Sequence, residues 1–276
     1  MKKRVLCALC MSVGLLCLPL VSCSDDDKNE LMEVIGGDSA NDNVLGDKAD
    51  NQDGVSGGDA EDDGNGGHVG DDAVEVSAGV EVGGHYAVDL ELPSGVKWAT
   101  CNVGASSPEE YGGYYAWGET EEKENYDWDT YKHCDKSFSK LNKYNTNSSY
   151  GTKPDNKTKL EAEDDVACVK WGGSWRMPTK TEINELIDNC SWTWATKNGV
   201  KGYVVASNAN GNSIFLPAAG YCWSKLLYFR SSNGYYWSAS LCEDNAYDAD
   251  ALYIFSGSRI LGNGRCNGFS VRPVTE

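Results

Sequence analysis

Between residues 179 and 190 the apolar positions Ile183, Leu186, Ile187 and Cys190 fall at i, i+3, i+4 and i+7. That spacing is one buried face of a helix. Thr179 followed three residues later by Glu182 is a capping box: the hydroxyl accepts from an orphan amide and the carboxylate reaches back. Pro178 keeps the entry extended, so the pattern predicts a helix from Thr179 to about Asn189. A preceding helix is predicted over Leu160–Lys170, with acids in its first turn, a lysine in its last and Gly172-Gly173 ending it. That arrangement complements the helix dipole. The same two glycines allow a turn that brings Trp171 and Trp175 together, and Arg176 can stack on them or fork to Glu119 or Glu182.

Beyond these helices the period changes to two. Val200–Ala206 and Ser213–Leu216 read as a hairpin around the Asn-Gly turn at 208–212. Tyr235–Ser240, Ala251–Phe255 and Gly268–Arg272 read as further strands. Ahead of the helices, Tyr86–Leu90 and Val96–Thr100 alternate, and Tyr114–Glu119 is a short aromatic strand or buried loop. Lys123–Asn156 has no period and reads as a long surface loop pinned by aromatics. Two helices followed by an antiparallel set predict an α+β fold.

The first 85 residues follow another logic. Lys2, Lys3 and Arg4 precede an apolar run from Val5 to Val21, and Leu20-Val21-Ser22-Cys23 matches a lipobox. The segment resembles a bacterial lipoprotein signal, with Cys23 lipidated; the run is short of the ~20 residues a membrane span needs. Ser24-Asp25-Asp26-Asp27-Lys28 resembles the surface-export tag of lipoproteins in the Bacteroidota. Ser24–His85 holds about 18 acidic against 2 basic residues, nearly all of the chain's net charge of −18. Such a stretch cannot repay chain entropy by burial and is predicted to be a disordered stalk. The expected organisation is a signal peptide over 1–22, lipidated Cys23 with an acidic linker to 84, and one folded domain over 85–276. Within the linker, Asp38-Ser39-Ala40 resembles the short O-glycosylation motif of the Bacteroidota, with Ser39 as acceptor. The expected address is the outer membrane, lipid-anchored and surface-exposed, the membrane being met through the anchor alone. The folded part is only mildly acidic and carries no basic footprint for nucleic acid.

Seven cysteines lie in the domain, an odd number, so at least one is a free thiol. No CxxC spacing supports a zinc site, and few or no disulfides are expected.

Six blocks occur in order: Leu92-Pro93-Ser94-Gly95-Val96-Lys97-Trp98-Ala99-Thr100-Cys101-Asn102-Val103-Gly104-Ala105; Tyr115-Ala116-Trp117-Gly118-Glu119-Thr120; Trp171-Gly172-Gly173-Ser174-Trp175-Arg176-Met177-Pro178-Thr179; Phe215-Leu216-Pro217-Ala218-Ala219-Gly220-Tyr221; Tyr236-Trp237-Ser238-Ala239-Ser240; and Ser270-Val271-Arg272-Pro273-Val274. From about Leu90 to the C-terminus the chain resembles the major paralogous domain family first named from Fibrobacter succinogenes. The resemblance implies a C-type-lectin-like fold, in the branch of formylglycine-generating enzymes and retroelement-diversified binding proteins. It implies a cell-surface setting but no ligand, since function sits in grafted sites. On this reading Trp171, Trp175, Arg176, Thr179, Glu182, Trp237 and Arg272 are scaffold.

The candidate binding residues lie between the last blocks, on Leu241–Asn267, expected as loops held by a rigid sheet, the usual recipe for recognition. They are Asp244, Asn245, Tyr247, Asp248, Arg259, Asn263, Arg265 and Asn267, joined from the side by Trp223, Tyr228 and Arg230. The resemblance also places the variable positions of the diversified proteins in this stretch. A glycan or a protein at the cell surface is the expected partner. No cofactor is expected: Asp244, Asp248 and Asp250 are hard oxygen ligands suited to calcium, yet the sugar-binding lectin triplets are absent. No enzyme is expected either, because His68, His85 and His133 build neither a nucleophilic triad nor a zinc centre. The alternatives are an envelope or fimbria-associated assembly component and, more distantly, an oxidase like the formylglycine-generating enzymes, although Cys222, Cys242 and Cys266 do not match their cysteine pair.

Overall fold

The computed structural model describes residues 74–276 apart from 152 and 256. Cys23, Ser39 and the signal and linker readings up to residue 73 lie outside the described residues. Among the described residues, four antiparallel sheets and two α-helices make up the fold, which is α+β.

The first sheet holds β1 (Val80–Val82), β2 (His85–Val88), β3 (Lys97–Ala99) and the C-terminal β12 (Val274–Thr275), in the order β1-β2-β3-β12. The two ends of the folded chain thus share one sheet, as its two outer strands. β1 lies inside the stretch expected to be linker, so the ordered chain starts before residue 85. Val80 pairs with Ala87 and Val82 with His85, across Gly83 and Gly84, both at positive φ. The short apolar alternation Val74, Val76, Val80, Val82 was hidden by the acids around it.

The helix α1 (Val166–Trp171) is shorter than the sequence predicts. Ala162–Asp164 forms a single 3₁₀ turn instead, and Asp165 caps α1 by accepting from Ala167 and Cys168 amides. The same carboxylate accepts from Met177 N at 2.8 Å, so it ties the helix to the strand-like entry of the next one. The helix α2 (Lys180–Asn189) starts at the capping box formed by Thr179 and Glu182. Its apolar face packs Ile183 and Leu186 onto Leu90, Trp98 and Ile254.

β4 (Cys190–Lys197), β5 (Val200–Ser207) and β6 (Ser213–Pro217) follow as a meander. Cys190 thus begins a strand rather than ending a helical face. A short hairpin follows, β7 (Tyr221–Trp223) with β8 (Leu226–Tyr228). β9 (Gly234–Leu241), β10 (Asp248–Ile254) and β11 (Ser258–Gly264) form the last sheet, in the order β11-β10-β9. Most of Leu241–Asn267 is accordingly ladder, not loop. Gly268–Ser270 is extended but joins no single sheet: its bridges go to Cys222, Tyr115 and Tyr236.

Aromatic side chains lock these pieces. Trp117 donates its indole N–H to Ser238 O, and Trp237 donates its own to Tyr115 O, both at 2.8 Å. Each ring is thereby fixed by the segment that carries the other. Phe269 stacks on Trp237 at 4.1 Å. Arg272 is buried and donates to Asn102 Oδ1 and to the carbonyls of Ala99, Thr100 and Phe215, joining the first sheet to β6. Arg176 forks to Glu182 at 2.8 and 2.6 Å and not to Glu119. Trp171 and Trp175 meet edge to face at 5.0 Å, with His85 stacked on Trp171 at 3.7 Å. The seven domain cysteines are free thiols. No helix among the described residues is long and apolar enough to cross a membrane.

Candidate functional site

The eleven residues singled out in the sequence separate into two places and three single arginines. Only one of the two places opens on an exposed edge, the β7–β8 hairpin.

From that edge a chain of side-chain contacts runs into β9–β11. Tyr221 and Trp223 share one face of β7 because side chains alternate along a strand, while Cys222 turns inward to the cluster with Tyr114 and Tyr126. The hairpin is anchored on both sides: Cys222 exchanges two 2.8 Å backbone bonds with Gly268, and Ser224 pairs with Tyr126. Trp223 lies 6.1 Å from Tyr228, which stacks with Tyr221 at 5.5 Å. Tyr221 meets Tyr235 at 4.8 Å, and Tyr235 meets Tyr253 at 4.8 Å. Asn263 donates to the Tyr253 hydroxyl, and Asn267 donates to Asn263 Oδ1 at 2.5 Å. Trp223, Tyr228, Asn263 and Asn267 thus end up on one chain of contacts. Tyr221, Tyr235 and Tyr253 complete it and were missed; the alternation Tyr221-x-Trp223 followed by Leu226-x-Tyr228 was the available signal. Trp223, Leu226 and Leu227 are 42%, 60% and 38% exposed, so the hairpin shows an apolar rim beside amides and phenols. No ionic side chain belongs to the contact chain.

Asp244, Asn245 and Tyr247 occupy the β9–β10 connection, and Asp248 opens β10. Tyr247 packs on Phe138 at 5.4 Å and Tyr150 at 5.0 Å, so it holds the long loop rather than facing solvent alone. Asp248 is buried, and its amide bonds Asn245 O while its carbonyl accepts from Cys242 N. The calcium reading of Asp244, Asp248 and Asp250 gains little here: Asp250 is buried and faces the Lys180 ammonium at 3.3 Å.

Arg265 is the clearest correction. It is fully buried, lies over the rings of Trp117 and Tyr131 at 5.4 Å each, and donates to Tyr144 O at 2.8 Å. The sequence shows a polar residue between asparagines, but the turn after β11 points it inward, where it fastens the long loop. Arg230 is exposed, stacks on Tyr111 at 4.8 Å and reaches Tyr114 Oη at 3.2 Å. Arg259 lies over Phe255 at 4.6 Å at the far tip of the β10–β11 hairpin.

The described residues contain one triad of converging carboxylates, Glu161, Glu163 and Asp164. Its centre is taken by the Lys143 ammonium, 2.8, 3.3 and 2.5 Å from the three. Lys132 adds a contact to Asp164 at 2.8 Å, and Tyr144 donates to it at 2.8 Å. Burial alone raises the Asp164 carboxyl, but the donors Lys132, Lys143 and Tyr144 outweigh it and hold it at about 2. The Lys143 ammonium thereby ties the long loop to the 3₁₀ turn at Ala162–Asp164. His133 beside it is buried, with Nε2 2.9 Å from Gly118 O, and burial lowers its pKa. An open hollow of about 560 Å³ near Lys140 and Ser148 is lined by loop side chains, mostly exposed, with no converging buried group.

Comparison with family models, curated proteins and solved structures yields no match.

Proposed function

We propose that the chain is a lipid-anchored outer-membrane protein that displays a lectin-like, ligand-binding domain of the major paralogous type at the cell surface. An adhesion or recognition role for the β7–β8 edge follows, with a glycan or protein as ligand. The observation that carries this reading is the unbroken aromatic–amide run from Trp223 to Asn267, exposed at Trp223 and rooted in the core midway, at the buried Tyr235. Exposed tryptophan beside tyrosine and asparagine, on a braced hairpin, supplies large contact area at low entropic cost. The lipobox-like Leu20-Val21-Ser22-Cys23 supports the address, and the pairing of β12 with β3 supports the lectin-like fold. The thiols speak for a binding role over an oxidase: burial pushes Cys222 up to about 11 and Cys266 up to about 12, so neither is held as a thiolate.

Probing host-glycan and surface-protein arrays with the purified chain tests the assignment. Trp223→Ala and Asn267→Ala are expected to weaken any bound ligand at least about tenfold, the loss of one central anchor. Arg259→Ala, at the distant hairpin tip, is expected to leave binding intact. Retained affinity in both edge variants removes the site. An envelope-assembly role is the second reading, favoured by the exposed Leu226 and Leu227. Stable co-purification with envelope proteins that survives Trp223→Ala supports it instead.

A further inference from the structure

We propose that β4 is a self-association edge: two copies of this chain pair their Cys190–Lys197 strands antiparallel about a twofold axis at Thr193, fusing two three-stranded sheets into one of six strands.

The two edges of the β4-β5-β6 sheet are treated differently. On the β6 side, Ser77 N donates to Ser213 O at 3.1 Å and Arg272 donates to Phe215 O at 2.9 Å, so that edge is covered. On the β4 side, eight consecutive residues pair with β5 alone, and among the described residues no other backbone is bonded along the strand. Unpaired N–H and C=O groups in a row are a template for another strand. Natural edges are usually blunted by charge, proline or a bulge. Ser191-Trp192-Thr193-Trp194-Ala195-Thr196 has none of these, and the β4–β5 register runs without a break.

Side chains point the same way. Trp194 is 42% exposed against Tyr203 at 4.9 Å. Trp192 is half-buried, and its Nε1 is buried with no acceptor among the described residues.

A second copy fits this edge because the strand complements itself. A twofold axis normal to the sheet keeps every side chain on its own face, so the axis must pass through a residue rather than between two. Centred on Thr193, the pairing sets Trp192 against Trp194 of the other copy twice over, four indoles on one face. Cross-strand aromatic pairs of this kind are among the stabilising ones. Ser191 then faces Ala195, and Cys190 faces Thr196, with no charge inside the seam. Centring on Trp194 instead leaves Trp192 opposite Thr196 and gives up one of the two tryptophan pairs.

Sedimentation of the full chain, with Cys23→Ser to keep it free of lipid, tests the proposal. A twofold rise in mass is expected between about 1 and 100 µM, the range of a modest interface. Thr193 is exposed, so Thr193→Lys leaves the fold intact, checked by an unchanged melt, while placing two like charges face to face. It is expected to weaken the dimer at least about tenfold. Register is tested separately: Ser191→Glu with Ala195→Lys retains the dimer, and Ser191→Lys with Ala195→Lys abolishes it. A chain that stays monomeric throughout, or a dimer indifferent to Thr193→Lys, overturns the proposal.

Discussion

At the scale of single residues, the buried charges explain more of this molecule than its exposed ones. Arg265 and Arg272 are buried, and the hydrogen bonds seen for them go to carbonyls and one amide oxygen, not to carboxylates. Asp164 is the counter-case, a buried carboxylate met by two lysines, a tyrosine and His133. Its pKa is held at about 2, below the unfolded value of roughly 3.9, so the folded state binds fewer protons there. The stability it confers is fully present above that unfolded value and is lost as pH falls towards about 2. His133 is depressed by burial, so its contribution fades as pH drops below the ordinary histidine value of about 6.5. Thermal melts across pH 7 to 2 are expected to show an acid limb that Asp164→Asn flattens. An unchanged limb in that variant places the acid sensitivity elsewhere. Arg265 also shows why sequence alone misassigned part of the site. Nothing local distinguishes an arginine that faces a ligand from one that turns under two rings to hold a loop 120 residues away.

At the scale of elements, what was legible was what is written locally. The helix α2 was readable to its first turn because Thr179, Glu182 and Pro178 encode the start within five residues, and Arg176 adds a fork from just outside. The β5–β6 hairpin was readable from its Asn-Gly turn. β4 was not, although Trp192 and Trp194 alternate with Ser191 and Thr193, because Cys190 fitted the helical period as well as the strand's. β10 was read only from Ala251 on, for a different reason: Asp248 and Asp250 are buried polar positions, and they break the pattern by which buried strands are recognised. The capping box and the fork share Glu182, and that sharing is measurable. Thr179→Ala is expected to cost about 1 kcal/mol, as lost caps do. Arg176→Ala is expected to cost about 3 kcal/mol, because it leaves Glu182 buried without its partner. In a double-mutant cycle by denaturant melts, the two are expected to be non-additive by at least about 0.5 kcal/mol. Strict additivity means the carboxylate serves one role only.

At the scale of the whole molecule, the fold is closed by its ends. β12 pairs with β3, β3 with β2, and β2 with β1. The entry segment then reaches further than its composition implies. Val82 O accepts the Trp175 indole N–H at 2.9 Å, Ser77 bonds Ser213, and Lys197 reaches Val74 O at 3.0 Å. Charge counting placed the domain boundary at residue 85, because net charge is summed over a window and a three-residue strand is invisible in such a sum. The hydrogen bonds reach back to Val74, the first described residue, and the two starting points make different physical claims. A fragment spanning 85–276 loses the β1 pairing, the acceptor of Trp175 and the cover over the β6 edge together. With each lost bond contributing about 1 kcal/mol, it is expected to melt several degrees below a fragment spanning 67–276. A domain of this size loses about 2 to 4 °C per kcal/mol. The bared Ser213 edge is also expected to make the shorter fragment prone to aggregate, since an uncovered strand recruits another. Equal melting temperatures for the two fragments, with equal solubility, return the boundary to residue 85 and leave β1 an ornament on the stalk rather than the first strand of the domain.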